Sequence, residues 1–356
     1  MRILVTGATG LIGSHIALAL MNAGHDVRLL VRNPQLATAH FLNFGELSFQ
    51  LTQGDMCDKQ AVEQALENCE AVVHCAAMVG LDAKNAAQMF TNNLTGIDNV
   101  IGTAVTQQLK TIIYISSASA LYTANTGGIN EKSALGTAQT AYTRSKIESE
   151  KRVRQYQESG APIIILYPVG VFGPNDPKLS EGNNALIKFV SLFVPLTTSG
   201  LQCVDARDIA VITSQLIARG GAENPVDDRY ILGGHFITWV HFADLLEKIL
   251  DRKIRKMQLH PQLLLFMGII MDLIKRVIPN TFPMTYESMN YVTRWAIADS
   301  RHTQKVLNFQ FRPLEETMRD TIIWLAAEGH LTEKFCANDS TNNKNLKKGL
   351  QKRSQI

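Results

Sequence analysis

Thr6-Gly7-Ala8-Thr9-Gly10-Leu11-Ile12-Gly13 follows the short apolar run Ile3 to Val5 and leads into the amphipathic segment Ser14 to Ala23. Three glycines placed between a strand and a helix have separate tasks. Gly7 permits a tight turn, Gly10 lets backbone N–H groups approach a pyrophosphate, and Gly13 lets the helix pack closely on the strand. Thr9, Leu11 and Ile12 complete the candidate phosphate-binding loop. A strand-to-helix turn without any ligand would use the same glycines. The strand before it, and the helix and second strand after it, favour the binding reading.

Outward from this turn, short β-branched runs alternate with amphipathic stretches: Ile3 to Val5, Val27 to Val31, Leu47 to Leu51, Ala71 to Cys75, Ile112 to Ser116 and Ile163 to Leu166. Such alternation predicts an α/β chain with right-handed βαβ units and a Rossmann-type, doubly wound parallel sheet. Gly24 is expected to close the first helix, and Gly160 with Pro162 the helix that carries Tyr142. After Pro174 the pattern turns irregular, with a loop from Gly173 to Asn184 and helices starting near Ala206 and Thr238. Pro313 followed by Glu315 and Glu316 marks the start of a last helix. The expected division is a dinucleotide-binding domain over 1–170 and a smaller, mainly helical substrate lobe over 171–336, interleaved with it. A polar, basic tail over 337–356 is expected to be disordered.

Composition narrows the function classes. A chain of 356 residues, 46% of them hydrophobic, can bury a large core. Its 35 Lys and Arg against 32 Asp and Glu leave a formal charge of +3, and the tail alone holds five basic residues and one acidic one. The folded body is thus close to neutral and lacks the basic stripe that nucleic acid requires. The five cysteines are scattered, with no Cys-x-x-Cys pair and no zinc spacing, which predicts a reducing, cytoplasmic setting and no structural metal. The N-terminal apolar run is too short for a signal-peptide core, and no stretch reaches the ~20 residues of a membrane span.

At the end of the second run stand Val31 and Arg32, where an acidic residue would otherwise bind the ribose hydroxyls of NAD. A guanidinium there can pair with a 2′-phosphate, which favours NADP while leaving NAD open. A solvated surface arginine would look the same. Asp55, in Gly54-Asp55-Met56 after the third run, either accepts a hydrogen bond from adenine or begins a turn. Tyr142-Thr143-Arg144-Ser145-Lys146 opens a predicted helix, and its i, i+4 spacing places phenol and ammonium on one face. A nearby cation lowers the tyrosine pKa from about 10, so Tyr142 can exchange a proton with a carbonyl or carbinol oxygen. Ser116 and Ser117, at the end of the fifth run, both have a hydroxyl beyond the carboxyl ends of the strands, where ligands bind in such sheets. Ser117 is the candidate donor to the substrate oxygen, with Ser116 competing for the role.

On these motifs the chain resembles the extended and atypical short-chain dehydrogenases/reductases over roughly Met1 to Leu325. The resemblance rests on the glycine turn, Val73-His74-Cys75-Ala76-Ala77, Asn93-Leu94-Thr95-Gly96, Ser117, Tyr142, Lys146, Pro168 to Pro174 and Val204-Asp205-Ala206-Arg207-Asp208. It implies that Met56 and the backbones of Cys75, Ala76 and Ala77 line the cofactor. It also implies that Lys146 holds the nicotinamide ribose, that Pro168 and Val171 flank the nicotinamide, and that the enzyme can dimerise through two helices. His74 reads as a packed strand residue and Asn93 as an ordering polar group. Sugar-nucleotide members of the family usually have Arg-x-x-Asn before Val-x-Gly-Pro, where this chain has Tyr167 and Gly170, and an arginine before Val-x-Asp, where it has Leu201-Gln202-Cys203. The chain is more similar to the dihydroflavonol-4-reductase-like and 3β-hydroxysteroid dehydrogenase-like branch.

Three activities follow as candidates: an NADP-dependent oxidoreductase acting on an apolar ketone or alcohol, a nucleotide-sugar epimerase or dehydratase, and a cofactor sensor without turnover. The Tyr-x-x-x-Lys pair counts against the sensor. Leu263 to Met271, followed by Leu273 and Ile274, is apolar on nearly all sides, so it is expected either to be buried or to touch lipid. In the second case Lys275 and Arg276 would rest near anionic head groups, making segment 263–276 a peripheral membrane contact.

Overall fold

The computed structural model describes residues 1–45, 47–79, 86–123, 127–137, 141–220, 227–258, 260–277 and 285–331. The expected tail over 337–356 lies outside them. In chain order the first half runs β1 (Arg2–Thr6), α1 (Leu11–Asn22), β2 (Asp26–Val31), α2 (Pro34–Leu42), β3 (Phe49–Gln53), α3 (Lys59–Leu66), β4 (Ala71–His74), α4 (Ala86–Thr106), β5 (Thr111–Ile115), α5 (Ala141–Glu158) and β6 (Ile163–Pro168). The second half continues with β7 (Gly170–Phe172), α6 (Glu181–Ser191), β8 (Val194–Leu196), β9 (Gly200–Asp205), α7 (Ala206–Ala218), β10 (Arg229–Leu232), β11 (His235–Thr238), α8 (Trp239–Leu250), β12 (Lys256–Gln258), α9 (Pro261–Val277), α10 (Tyr286–Thr293), α11 (Arg301–Leu307) and α12 (Leu314–Ala327).

The main sheet has seven parallel strands in the order β10-β6-β5-β4-β1-β2-β3. Every residue of β4, β5 and β6 is buried, which is why these strands read as unbroken apolar runs and not as alternating ones. α4 packs between α3 and α5, and α1 packs along α7, giving the two helical layers of a doubly wound sheet. Strand order reverses between β1 and β4, so their carboxyl ends flank the crevice where such sheets bind ligands. The third strand lies two residues later than the apolar run Leu47 to Leu51 suggested. The seventh strand, β10, was not foreseen: it returns from the second half of the chain and pairs with β6 through Arg229 to Leu232.

The smaller C-terminal region has its own apolar centre, where Trp239 and Phe242 of α8 meet Phe172, Leu186 of α6 and Met318 of α12. It is mainly helical, as expected, and also holds a three-stranded sheet, β11-β9-β7, and the pair β12-β8. The expected loop to Asn184 is shorter, because α6 already begins at Glu181. Gly24 and Gly160 adopt φ of +81° and +89° just past α1 and α5, as C-terminal caps require. Asp205 and Thr238 cap α7 and α8, and α12 starts after Pro313 with Glu315 and Glu316 in its first turn.

The apolar segment around α9 is two-faced, which corrects the reading of it as apolar without a preferred side. Leu264 and Leu265 are buried, and a Cβ on Gly268 would stand 2.8 Å from the Tyr286 Cα, so one face lies hard against α10. Leu263, Phe266, Ile269, Ile270, Leu273 and Ile274 are exposed, Phe266 by 59%. Exposed large apolar groups at this spacing form a continuous stripe along one side of the helix. Among the described residues no helix is long and apolar enough to cross a membrane.

A charged junction ties the lobe to the sheet. Arg207 in α7 donates to Asp205 and to Asp320 of α12, each at 2.7 Å, and Asp208 accepts the Arg312 N–H at 2.8 Å. Burial, with Asp205 adding to it, raises the Asp208 pKa to about 6 against the pull of that N–H. An acid whose folded pKa lies above its unfolded value favours folding fully only below its ordinary pKa of about 4. That contribution is lost as pH rises through about 6. Asp208→Asn, which keeps an acceptor for Arg312, is therefore expected to raise Tm near neutral pH, by about 2 kcal/mol of stability, and to lose the gain toward pH ~4. Thermal melts showing the same Tm difference at both pH values would contradict this sign.

Candidate active site

The glycine turn closes on the end of β4. Gly7 has φ +72°, and a Cβ there would stand 2.7 Å from the Ala76 N and 2.9 Å from the Cys75 carbonyl carbon. Only a residue without a side chain permits both the left-handed backbone and this approach. A Cβ on Gly13 would stand 2.3 Å from the Gly7 O, so Gly13 seats α1 on the turn itself and not on the strand as expected. At Gly10 nothing lies nearer than the Gly7 O at 3.4 Å, and its outer side is open. α1 begins there with no side-chain cap and no acid in its first turn, whereas Asn33, Asp58, Asp205 and Thr238 cap α2, α3, α7 and α8. First-turn amides left free of a cap, at the positive end of a helix dipole, fit the diphosphate of a dinucleotide. Of the neighbouring residues, Thr9 and Ile12 are half-buried and Leu11 is buried.

Thr6 locks the turn to the neighbouring strand: its Oγ1 accepts the Ala76 N–H at 3.2 Å and meets His74 Nδ1 at 2.8 Å. His74 is fully buried against Tyr114, and burial, then Lys146, lowers its pKa to about 3. It is a neutral packing residue. Cys75, Ala76 and Ala77 leave β4 half-buried, and burial pushes the Cys75 thiol well up. Asn93 of α4 accepts the Met78 N–H at 2.7 Å and donates to the Met78 O and to Ser145 Oγ, tying this loop to α5.

Arg32 lies just past β2, 74% exposed, with Nη1 3.7 Å from Asp55 Oδ2. Asp55 also accepts the Cys57 N–H at 2.9 Å and so begins a turn. Met56 lies beneath α4: a Cβ on Gly96 would stand 2.7 Å from its sulfur. Pro168 is buried at the end of β6, and Val171 is half-buried in β7, paired with Val204.

Ser117 stands two residues past β5 and caps the short 3-10 turn Ala118–Leu121, accepting from the Ser119 N–H and hydroxyl. It remains half-buried, and α5 packs against that turn. Ser116 is buried, and its hydroxyl donates to Glu150 Oε2 at 2.6 Å, which commits it to α5. Tyr142 is half-buried and Lys146, one turn along α5, is 5% exposed. Burial lowers the Lys146 pKa to about 8, with Glu150 and Cys75 pulling it back up.

Glu150 and its partners escaped sequence reasoning, because nothing in a polar helix says which carboxylate is buried. Glu150 is fully buried and accepts from Ser116, from Arg154 at 3.0 Å and from the Tyr167 hydroxyl, and Arg154 in turn donates to Tyr167 at 3.2 Å. Tyr167 thus points at α5. A Cβ on Gly170 would stand 2.9 Å from the Gln202 O, and the Gln202 amide is held by Ala298 and the Trp295 indole. Tyr167 and Gly170, where the resemblance would place two anchors of sugar-nucleotide enzymes, and Gln202, in the segment where it would place a third, are taken up by internal contacts. Lys178, also missed, donates to Thr9 Oγ1 at 3.0 Å across the opening of the turn.

Glu150→Gln removes the negative charge that does most to hold up the Lys146 pKa, so the ammonium should give up its proton below the present value of about 8. The expected result is that cofactor affinity declines at lower pH than in the wild type, together with a lower Tm from the stranded Arg154. An unchanged alkaline limb in cofactor titrations across pH would remove Glu150 from this role.

The comparisons with known proteins agree with this geometry. Residues 3–202 match the NAD dependent epimerase/dehydratase family. The sterol demethylase protein B of Methylococcus capsulatus is 24% identical over 337 residues, covering 92% of this chain and 99% of that one. Cinnamoyl-CoA reductase 1 of Petunia hybrida is 23% identical over 348 residues, covering 92% of each. The crystal structure of gox2253 superposes with a TM-score of 0.77 at 26% identity, over 93% of this chain and 99% of that one. A match over more than half the chain shows that this protein belongs to the NAD dependent epimerase/dehydratase family, the extended short-chain dehydrogenases/reductases.

Proposed function

We propose that the chain is an NADP-dependent oxidoreductase that moves a hydride between the nicotinamide and a ketone or secondary alcohol on a relatively apolar small molecule. The observation that carries this reading is the buried ammonium of Lys146 one helical turn from half-buried Tyr142, on a helix packed against the turn capped by Ser117. When bound, the nicotinamide supplies or accepts the hydride. Ser117 donates a hydrogen bond to the substrate oxygen and orients it. Tyr142 gives that oxygen its proton in reduction and takes it back in oxidation, while the Lys146 charge stabilises the phenolate form. Cys75, Ala76 and Ala77, with Pro168 and Val171, would border the cofactor, and Arg32 would meet the 2′-phosphate. A nucleotide-sugar epimerase or dehydratase is the second reading, supported by the family match. The internal commitments of Tyr167, Gly170 and Gln202 favour the first.

Tyr142→Phe is expected to cut turnover by at least ~10²-fold while leaving cofactor affinity nearly unchanged. Lys146→Ala should damage both. Net consumption of NADPH with a panel of apolar ketones, followed by the absorbance of the reduced nicotinamide, is the assay. Wild-type kcat in Tyr142→Phe would reject the assignment, and saturable binding of a UDP-sugar with no net NADPH consumption would favour the epimerase.

The exposed stripe of α9 supports peripheral contact with an anionic bilayer, from which an apolar substrate could be drawn. Phe266 and Ile270 would enter the acyl boundary, and half-buried Lys275 near the end of the helix would rest near head groups. The side chain of Arg276, expected to join Lys275, lies outside the described residues. Phe266→Ser with Ile270→Ser should abolish flotation with anionic vesicles and leave Tm unchanged or higher. Undiminished flotation would discard the contact, and concentration-dependent self-association without flotation would assign the stripe to a second copy of the chain.

A further inference from the structure

The loop after β7 is built to hold one side chain over the glycine turn. Asp176 is 4% exposed and accepts the Ser180 N–H at 2.6 Å and the Asn183 amide at 3.0 Å. Asn183 also donates to the Gly173 O at 2.8 Å, and buried His15 of α1 meets the Pro174 O at 2.9 Å. Two non-glycine residues, Asn175 and Leu179, take left-handed backbone at φ +57° and +51°. Such conformations are uncommon for residues with a Cβ, rarer still for a bulky apolar one, and persist only where the surroundings impose them. The loop is thereby clipped to α1, with Lys178 between its two strained positions.

We infer that Lys178, held on Thr9, and Arg32, at the end of the neighbouring strand, together take the 2′-phosphate of an NADP-type nucleotide, forming one anion site from distant parts of the chain. The inference rests on the NADP reading above. Lys178 Nζ reaches Thr9 Oγ1 at 3.0 Å, which spans the outer side of the turn where Gly10 leaves open space. Arg32 leaves the sheet beside that turn, because β1 and β2 pair in register as far as Thr6 and Leu30; burial first, then the Arg32 charge, lowers the Lys178 pKa. Asp55 holds Arg32 only loosely, at 3.7 Å. Two cations brought together against their mutual repulsion, one of them on a strained and clipped loop, are stabilised by an anion placed between them. A dianionic phosphate on the ribose carried by this turn has the matching charge.

The test is binding, not turnover. Fluorescence titrations would compare NADPH with NADH, and adenosine 2′,5′-bisphosphate with adenosine 5′-monophosphate, in wild type, Lys178→Ala, Lys178→Arg, Arg32→Ala and the double Ala variant. Lys178→Ala should weaken NADPH and the bisphosphate roughly tenfold while leaving NADH and the monophosphate within about twofold. Lys178→Arg should restore most of the loss, and the double variant should depart from additivity because both cations share one phosphate. Equal weakening of NADPH and NADH would overturn the inference in favour of a contact with the pyrophosphate. No weakening at all would reduce Lys178 to a tether for Thr9. In both cases the NADP reading survives if the wild type still prefers the 2′-phosphorylated ligands. A wild type without that preference overturns both.

Discussion

The backbone of Gly7 lies against that of Cys75 and Ala76 so closely that no side chain fits between them. Nearly everything in the candidate site follows from this approach. It draws the turn after β1 onto the end of β4 at the point where strand order reverses, and the Thr6 hydroxyl fixes the contact by accepting the Ala76 N–H. The loop leaving β4 is then held by Asn93, which grips both polar groups of Met78 and reaches Ser145 on α5. One close approach of two backbones thereby sets the relative places of the phosphate turn, the Cys75–Ala77 wall and the helix that carries Tyr142 and Lys146. His74 beneath them stays uncharged because burial, and Lys146 beyond it, oppose its protonation.

α5 is anchored by polar contacts more than by an apolar stripe. Its sequence from Ala141 to Glu158 is strongly hydrophilic, and apart from side chains such as Ile147 and Val153 it has little to bury. A fully buried carboxylate, Glu150, gathers Ser116 just past β5, Tyr167 from β6 and Arg154 from the next turn. In a low-dielectric interior such a network stabilises only when every member is satisfied, so it also fixes the rotation of α5 about its axis. That rotation turns Lys146 inward, beside Cys75, and its buried ammonium feels the Glu150 charge. The same network commits the Tyr167 hydroxyl to α5.

Much of this was legible along the chain. The first six strands of the main sheet and their order of appearance, the glycine turn, the caps at Gly24 and Gly160, and the Tyr142 to Lys146 spacing are all local properties. Each depends on backbone sterics, on side-chain period or on hydrogen bonds within a few residues. A sequence specifies such features without reference to the rest of the fold.

Other features are products of contacts between residues far apart. Only the folded chain commits Ser116 to Glu150 and leaves Ser117 half-exposed, because two adjacent hydroxyls differ by the face on which they leave the strand. Only folding returns β10 to the edge of the main sheet, and only folding separates the packed side of α9 from its bare one. The reach of Lys178 to Thr9, across 169 positions, likewise has no local signature. Hydrophobicity and charge are written in the sequence residue by residue, but which atom lies within a few ångströms of which is decided when the layers close.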